Sequence, residues 1–462
     1  MKKAKVGLLP LYVKLYDDYL QWMRPKIEAF HKTITKKLEE EGLEVMTVAP
    51  CRLEAEFKAA LDDYEKAGCD AVITVHLAYS PSLQSEKPLR ECKLPIIILD
   101  TTPDYVFSPE GPSAQLDFDH GIHGVQDMCN LLNRNHVPFD ICAGHWQESD
   151  VTKRVADIAR GYAAANALCK MKVGIIGDPF DGMGDFRVPY EEVKQDLGVQ
   201  ITKYPASEIG KYAERITEER IDTAEKEDGE RFDNKNVSKE LYREVMRASL
   251  AVKDWMEAEG LGAFTLNFLE AGKTTGLRHM VFDRACRAME DGIGYAGEGD
   301  ALTAALVGAL LTGWPETTFV EMFCPNWRDG YVFLGHMGEY NLRIAAEKPH
   351  MVVRPFPFGD AGDPFALMAS MKKGRSTLVN LAPLGDGKYT LTAIEGQMLP
   401  APVNSDFKDL VNGWFRPDGE LAKVLEEYSK NGGTHHSAMV YNVTAEAIRP
   451  IARYFGWKFV KL

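Results

Sequence analysis

The sequence has no hydrophobic run long enough to cross a membrane, since a spanning helix needs about 20 consecutive apolar residues. Paired cysteines are also missing. The eight cysteines form no C-x-x-C pair and no zinc-ribbon spacing. These absences exclude a membrane-spanning segment and a cysteine-based zinc site. They favour free thiols in a reducing compartment.

An excess of positive charge is missing as well. The chain has 54 lysines and arginines against 68 acidic residues, a formal net charge of −14. Nucleic acids and anionic membranes need a basic surface, so neither is expected as a partner. No Gly-rich loop carries a P-loop lysine, which disfavours a phosphorylated substrate. The apolar stretch after Met1 contains Pro10 and Lys14 and lacks a small-residue cleavage site. A first β-strand in a cytoplasmic protein is therefore expected.

Short apolar runs alternate with amphipathic stretches, and this pattern is typical of parallel α/β layers. The length of 462 residues indicates two or three domains. The first, residues 1–170, is predicted to be doubly wound. Its predicted strands are Lys5–Leu11, Leu43–Ala49, Ala71–Val75, Pro95–Leu99 and Asp140–Ala143. Its predicted helices are Asp18–Glu41, Leu53–Ala67 and Asp150–Leu168.

A central α/β domain, residues 171–314, and a β-rich C-terminal domain, residues 315–462, are predicted to follow. In the central domain we expect strands Lys172–Ile176 and Ala263–Phe268 and helices Ser238–Glu257 and Thr275–Asp291. The charged stretch Ile216–Glu244 is interpreted as a solvated helix pair interrupted near Gly229. In the last domain, short alternating strands with Gly and Pro turns favour an antiparallel, barrel-like sheet. These are Tyr331–Leu334, Met351–Val353, Thr377–Leu381 and Lys388–Ile394.

Four residues in the last third of the chain are candidate metal ligands: Glu298, Glu321, His336 and His436. They occur in the segments G-E-G-D-A-L-T-A-A-L, T-T-F-V-E-M-F, G-H-M-G-E and N-G-G-T-H-H. Mixed carboxylate and imidazole ligation suits Mn²⁺, Co²⁺ or Mg²⁺ better than a structural zinc. Four protein ligands on an ion that prefers six leave positions for substrate oxygens, which is the arrangement of a catalyst.

Each of these residues also has a purely structural interpretation. The segment around Glu298 could be a helix N-terminus with acidic residues at the positive end of the dipole. His336, and the adjacent pair His435 and His436, could be hydrogen-bonded core or turn histidines. His120 and His123, spaced to share a helical face, could form a second metal site. Contact with substrate is the interpretation that we favour for them.

Taken in order, the four segments resemble the metal-site motifs of the L-arabinose isomerase family. H-L-A-Y-S-P, L-D-F-D-H, A-G-H-W-Q and G-A-F-T-L-N-F resemble further motifs of that family, upstream. The resemblance extends from about residue 70 to residue 436. It implies two α/β domains before a β-rich domain, and an aldose–ketose isomerase, which is an intramolecular oxidoreductase.

The resemblance also implies roles for individual residues. Glu298, Glu321, His336 and His436 would hold a divalent cation, usually Mn²⁺ in this family. The two glutamates would be the acid and the base that convert an aldose to a ketose through an enediol, with the individual roles left open. The residues expected to bind substrate are His435, His123, Gln126, Phe268, Phe358 and Met183. We expect His435 to face away from the cation.

Several positions depart from the family pattern. Leu9 or Pro10 replaces a glutamine that contacts sugar, His123 replaces a second glutamine, and Phe358 replaces a smaller aliphatic residue. A change from amide to apolar leaves a sugar hydroxyl without a partner and alters specificity strongly. The expected substrate is thus a free sugar of the L-arabinose, D-galactose or L-fucose type, with a deoxy sugar fitting a more apolar pocket.

The family resemblance further implies a homo-oligomer, a trimer or hexamer with sites between subunits. Two other functions are compatible with the residues. A metal-dependent sugar epimerase or lyase could use the same acid and base. A non-catalytic sugar-binding protein would need only a polar pocket, so the paired glutamates speak against it.

Overall fold

The computed structural model describes residues 3–272, 275–402 and 406–462. The chain divides into two compact units, Met1–Ala163 (unit 1) and Ala164–Leu462 (unit 2). None of the helices formed by the described residues is both long and apolar enough to cross a lipid bilayer.

Unit 1 is a five-stranded parallel sheet in the order β2-β1-β3-β4-β5. Its strands are β1 (Lys5–Leu11), β2 (Glu44–Thr47), β3 (Ala71–His76), β4 (Ile96–Asp100) and β5 (Phe139–Ala143). Its helices are α1 (Lys14–Tyr19), α2 (Arg24–Glu40), α3 (Glu54–Lys66), α4 (Ser82–Glu91), α5 (Leu116–Asp119), α6 (Gly121–Arg134) and the first part of α7 (Val151–Leu168). This order confirms the predicted doubly wound sheet.

The apolar runs of these strands result from burial on both faces. All six residues of β3 are buried, which is typical of a parallel strand covered on both faces. Ile27 of α2 and Val155 of α7 belong to the core on one face of the sheet. Phe57 of α3 and Met128 of α6 belong to the core on the other face.

Unit 2 begins with a four-stranded parallel sheet in the order β10-β9-β6-β7. Its strands are β6 (Lys172–Ile176), β7 (Gln200–Lys203), β9 (Ala263–Leu266) and β10 (Gly294–Gly297). The helices are α8 (Tyr190–Leu197), α9 (Ile209–Arg215), α10 (Glu218–Arg231), α11 (Lys239–Glu259), α12 (Phe282–Glu290) and α13 (Ala301–Gly313). The two-residue strand β8 (Asp233–Asn234) joins a small sheet with β13 (His350–Val353) and β14 (Phe365–Met368).

The rest of unit 2 contains a closed antiparallel barrel of six strands. Its order is β15-β18-β11-β12-β17-β16, and pairing of β15 with β16 closes it. The strands are β11 (Thr317–Asn326), β12 (Tyr331–Gly335), β15 (Gly374–Pro383), β16 (Tyr389–Met398), β17 (Gly413–Pro417) and β18 (His436–Tyr441). Helices α14 (Leu421–Lys430) and α15 (Ala445–Phe455) and the parallel strand β19 (Lys458–Lys461) complete the unit. The barrel-like prediction is confirmed.

Three details of the sequence interpretation are wrong. The single helix expected over Asp18–Glu41 is broken, because α1 ends at Tyr19 and α2 begins only at Arg24, where Pro25 favours a helix start. Helix α10 continues through Gly229 and ends at Arg231, because one glycine costs only about 1 kcal/mol in a helix. The helix expected over Thr275–Asp291 begins only at Phe282. The division into domains 1–170, 171–314 and 315–462 stays a prediction.

Helix α13 packs unusually close to β10, and glycines make this approach possible. A Cβ added to Gly294 would lie 2.3 Å from both the carbonyl oxygen of Ala304 and the amide nitrogen of Gly308. Both neighbours are helix backbone, so they cannot move aside as a flexible side chain could. Because β10 leads directly to Glu298, this contact also supports the candidate site.

We expect Gly294→Ala to destabilise unit 2 by about 1–3 kcal/mol or more, because the helix must move away from the strand. The control is Gly229→Ala in exposed α10, where an added Cβ meets nothing within 4 Å. That change should be neutral or stabilise by up to about 1 kcal/mol. Urea unfolding followed by circular dichroism measures both. Equal midpoints for the two variants would contradict the close packing.

Candidate active site

The barrel register brings two of the predicted ligands onto neighbouring strands. Glu321 of β11 pairs with His436, the first residue of β18, and on its other side with Gly335 of β12. His336 follows Gly335 directly. Residues 321 and 436 are far apart in the sequence, but the pairing of β11 with β18 places them side by side.

Glu298 reaches the same place from the parallel sheet. It follows β10 in a left-handed conformation with φ of 65°, which is uncommon for a residue with a side chain. A Cβ on Gly297 would lie 2.9 Å from the His336 ring, and one on Gly299 would lie 2.5 Å from Pro179. The two glycines of G-E-G-D are thus required by close contacts on both sides of the glutamate.

Hydrogen bonds hold this turn in place. The amide of Glu298 donates to the carbonyl of Leu266 at 2.9 Å, and its own carbonyl accepts from the amide of Phe180 at 2.8 Å. The hydroxyl of Thr265 accepts from the amide of Gly299 at 3.0 Å and donates to the carbonyl of Gly297 at 3.2 Å. Such pinning is how a protein maintains an unfavourable backbone conformation at a functional position.

The ionisable atoms of the site converge on one point. Nε2 of His436 lies 2.9 Å from Oε1 of Glu321 and 3.5 Å from Oε2 of Glu298. Nε2 of His336 lies 3.2 Å from Oε1 of Glu321, and Nε2 of His435 lies 3.7 Å from Oε2 of Glu298. One ligand atom each from Glu298, Glu321, His435 and His436 lie within 4.8 Å of one another.

The fourth member of that group is His435, so the expectation that its ring faces away from the cluster is wrong. The reason is one long-range contact: Nδ1 of the ring faces Oδ2 of Asp185 at 2.7 Å, which directs Nε2 inward. Both His336 and His435 stand at the edge of the group, one beside each glutamate. Which imidazoles bind a cation stays a prediction.

Three site atoms are buried without a hydrogen-bond partner among the described residues: Oε2 of Glu298 and Nε2 of both His435 and His436. A buried polar atom without a partner costs roughly 1–3 kcal/mol. Two carboxylate acceptors and two imidazole nitrogens facing one point form a donor set suited to a divalent cation. The residues therefore fit a metal ion.

The charges of the site stabilise one another. Burial raises the pKa of Glu298, but the imidazoles of His435 and His436 beside it outweigh this effect and lower the pKa to about 2. Burial likewise opposes ionisation of Glu321, and the imidazoles of His336 and His436 beside it hold its pKa well below the usual range. Burial opposes charge on His336, but Glu339 and Glu321 outweigh it and raise its pKa to about 10.

Each imidazole has a carboxylate on its far side. Nδ1 of His336 faces Oε2 of Glu339 at 2.7 Å, and Nδ1 of His436 faces Oδ2 of Asp300 at 2.9 Å. The pattern of carboxylate, imidazole and cation is common in metal sites, where the outer carboxylate orients the ring. Sequence reasoning gave no role to Asp300 or Glu339. Their signal was position: each lies two or three residues after a proposed ligand.

Aromatic rings surround the cluster. Phe319 meets the rings of His336 and His436 edge-on, with centroids 5.0 Å away in both cases. Phe186 stacks on His436 at 5.0 Å. These rings limit the access of water to the charged groups from two sides.

The expected substrate-binding residues fall into two groups. Phe268 and Phe358 lie together, with ring centroids 6.1 Å apart, and Met183 lies on the loop that also carries Phe186. His123 and Gln126 are exposed on α6 of unit 1. His123 is 5.0 Å from the ring of Tyr79. A role in substrate binding stays a prediction for these residues and for His435.

In unit 2, two carboxylates of lowered pKa, Glu298 after β10 and Glu321 in the barrel, converge with imidazoles, and paired acid and base groups of this kind are typical of enzymes. Comparison with known proteins then narrows the class. The L-arabinose isomerase central domain matches residues 190–312, and the L-arabinose isomerase C-terminal domain matches residues 316–458.

Whole-length relatives agree. The L-arabinose isomerase of Shouchella clausii is 24% identical over 461 residues, covering 97% of this chain and 92% of that protein. That of Actinobacillus succinogenes is 25% identical, covering 100% of this chain and 95% of that protein. That of Leuconostoc mesenteroides is 26% identical, covering 95% and 94%. The chain belongs to the L-arabinose isomerase family, and it is an aldose–ketose isomerase.

Asp300 has two functions that substitutions can separate. Its Oδ1 accepts from the amide of Thr303 at 2.8 Å, which caps α13, while Oδ2 faces His436. Asparagine keeps an oxygen for the cap and alanine does not. We therefore expect Asp300→Ala to be about 1 kcal/mol less stable than Asp300→Asn in urea unfolding. Equal stabilities would show that the cap contributes nothing.

Proposed function

We propose that this protein is a metal-dependent isomerase that interconverts a free aldose and its ketose through an enediol. The observation that carries the proposal is the convergence of two carboxylates, Glu298 and Glu321, on the same ring nitrogen of His436. A proton transfer between neighbouring carbons needs a base at one position and an acid at the other. Two glutamates reaching one point from different sheets can approach a small substrate from two directions.

The residues would divide the work as follows. One glutamate removes the proton from C1 or C2 of the open-chain sugar and returns it to the other carbon, and the second serves the oxygens. Glu298, Glu321, His436 and an imidazole beside them, His336 or His435, would hold a divalent cation such as Mn²⁺, Co²⁺ or Mg²⁺. When bound, such an ion stabilises negative charge on the oxygens of the enediolate.

The chemistry of the proposed substrate follows from the family and from the pocket. The relatives named above are L-arabinose isomerases. We propose a monosaccharide of the L-arabinose, D-galactose or L-fucose type. Phe180, Phe268 and Phe358 form a row of three aromatic rings. The ring centroids of Phe180 and Phe268 are 5.5 Å apart and those of Phe268 and Phe358 are 6.1 Å apart. This apolar wall favours a sugar with a deoxy position.

We also propose that the protein works in the cytoplasm as a homo-oligomer, a trimer or hexamer with sites between subunits. Large apolar residues of unit 1 are exposed in the segments that follow strands β1 and β4. They are Tyr19 (78% exposed), Trp22 (50%), Tyr105 (66%), Val106 (64%) and Phe107 (60%). Exposed apolar groups of this kind are typical of surfaces that meet another protein.

We expect the protein, supplied with Mn²⁺ in D₂O, to convert at least one of L-arabinose, D-galactose and L-fucose to a ketose that carries deuterium at C1. NMR detects both the ketose and the deuterium that it carries. Glu298→Gln and Glu321→Gln should each lower kcat by about 10²–10⁴-fold, because each removes a general acid or base. Chelation should abolish turnover, and added Mn²⁺ should restore it.

Glu316→Gln is the matched control. Glu316 lies just before β11 and pairs with Lys372 at 2.5 Å, outside the cluster of ionisable atoms. It should keep wild-type turnover. Ketose formation that survives chelation would contradict metal dependence. Deuterium exchange with a C2 epimer and no ketose would indicate an epimerase instead. Tight Mn²⁺ and polyol binding without any exchange would indicate a binding protein.

Phe358 is the expected specificity residue. Phe358→Leu should raise the ratio of kcat/KM for L-arabinose to that for L-fucose by about tenfold or more, because one altered apolar contact discriminates by this much. Competition between the two sugars in one NMR tube measures the ratio directly. The control is Phe455→Leu. Phe455 is the last residue of α15 and stacks on Trp457, and its substitution should leave the ratio unchanged. An equal change of this ratio in both variants would show that Phe358 does not line the sugar pocket.

A further inference from the structure

One carboxylate of the site differs from the others in where it comes from. Asp185 lies on the loop between β6 and α8, residues 177–189, whose glycines Gly177 and Gly182 have positive φ of 82° and 96°. Asp300 and Glu339, the carboxylates behind the other two imidazoles, are fully buried, with side-chain exposures of 0% and 2%. The side chain of Asp185 is 37% exposed. The loop therefore presents its carboxylate from the open side of the site.

Asp185 makes two hydrogen bonds to one residue. Its Oδ2 accepts from the backbone amide of His435 at 2.9 Å and faces Nδ1 of the same imidazole at 2.7 Å. The next residue, Phe186, stacks on the ring of His436 with an angle of 11° between the planes. Two consecutive residues of the loop thus hold two consecutive histidines.

This arrangement determines which atom of His435 is available. With Nδ1 committed to Asp185, the remaining ring nitrogen is Nε2, which lies 3.7 Å from Oε2 of Glu298. Neither of these two atoms has a hydrogen-bond partner among the described residues, although both are buried. A substrate hydroxyl or a cation at that point would satisfy both.

We propose that Asp185 is a positioning residue, which acts through His435 and fixes that imidazole with Nε2 directed at the substrate side of Glu298. The inference deepens the proposed isomerase function and rests on it. Outer carboxylates that orient an imidazole typically change activity by about 10- to 100-fold when they are removed. Here the orienting group is on a loop, so the readiness of His435 depends on the conformation of residues 177–189.

A double-mutant cycle tests whether Asp185 acts through His435. Asp185→Asn should lower kcat/KM for the aldose by about tenfold or more, since the amide can offer a hydrogen to Nδ1 where the carboxylate could only accept one. In a His435→Gln background the same change should have almost no further effect, because residues that act as a unit are not additive. Asp185→Glu, which retains the carboxylate, should recover part of the loss.

Asp181→Asn is the matched control on the same loop. The Asp181 side chain is 99% exposed and pairs with Arg187 at 3.0 Å. The substitution therefore removes the same charge as Asp185→Asn without touching His435. It should keep wild-type kcat/KM. If Asp185→Asn is no worse than Asp181→Asn, or if its full loss persists without His435, the positioning role is overturned.

A measurement independent of turnover separates this inference from the isomerase proposal. Proton NMR of protein labelled with ¹⁵N-histidine should show a low-field Nδ1 proton of His435, protected by the bond to Asp185. The signal should be absent in Asp185→Asn and in His435→Gln and present in Asp181→Asn. Its absence in the wild-type protein would overturn the positioning role. A protein that retains the signal but converts no aldose would overturn the isomerase function alone.

Discussion

The structure of the site depends on the compensation of buried charge. Burial opposes ionisation of Glu298 and Glu321, and a buried carboxylate without a partner would be costly. The imidazoles beside each carboxylate supply the partner that it needs. Further carboxylates, Asp300 behind His436 and Glu339 behind His336, then compensate the imidazoles. The result is an alternation of carboxylates and imidazoles whose inner end is Oε2 of Glu298, which has no hydrogen-bond partner among the described residues.

This alternation explains the elements that surround the site. Asp300 caps α13 with one oxygen and faces His436 with the other, so the same carboxylate positions a helix and a ring. Tyr295 of β10 donates to Glu339 at 2.9 Å, which joins the parallel sheet to the ring of His336. The barrel and the parallel sheet are therefore connected through the polar groups of the site as well as through apolar packing. The strained turn at Glu298 fits this picture, because its backbone is held from both sides.

Those parts of the structure that depend on local pattern could be predicted from the sequence. The strands β1 and β6 have the predicted bounds, because burial on both faces leaves continuous apolar runs. The start of α12 could not be predicted in this way. Residues 275–281 are mostly buried, but this burial depends on distant parts of the chain, as in the pairing of His279 with Gly362. The roles of the outer carboxylates could not be predicted either. An aspartate close to a proposed ligand in the sequence can equally be a helix cap, and Asp300 both caps α13 and faces His436.

The orientation of His435 shows where sequence similarity stops being informative. Its position beside His436 on an extended segment predicts opposite directions for the two side chains, since residues alternate along a strand. His435, however, precedes the first residue of β18 and is held by Asp185, which is 250 residues earlier in the chain. A long-range hydrogen bond therefore decides which way this ring points. In the proposed isomerase, the loop around Asp185 also carries Met183, so the sequence of this loop would influence both the orientation of His435 and the proposed sugar pocket, and catalysis and specificity would be coupled in this part of unit 2.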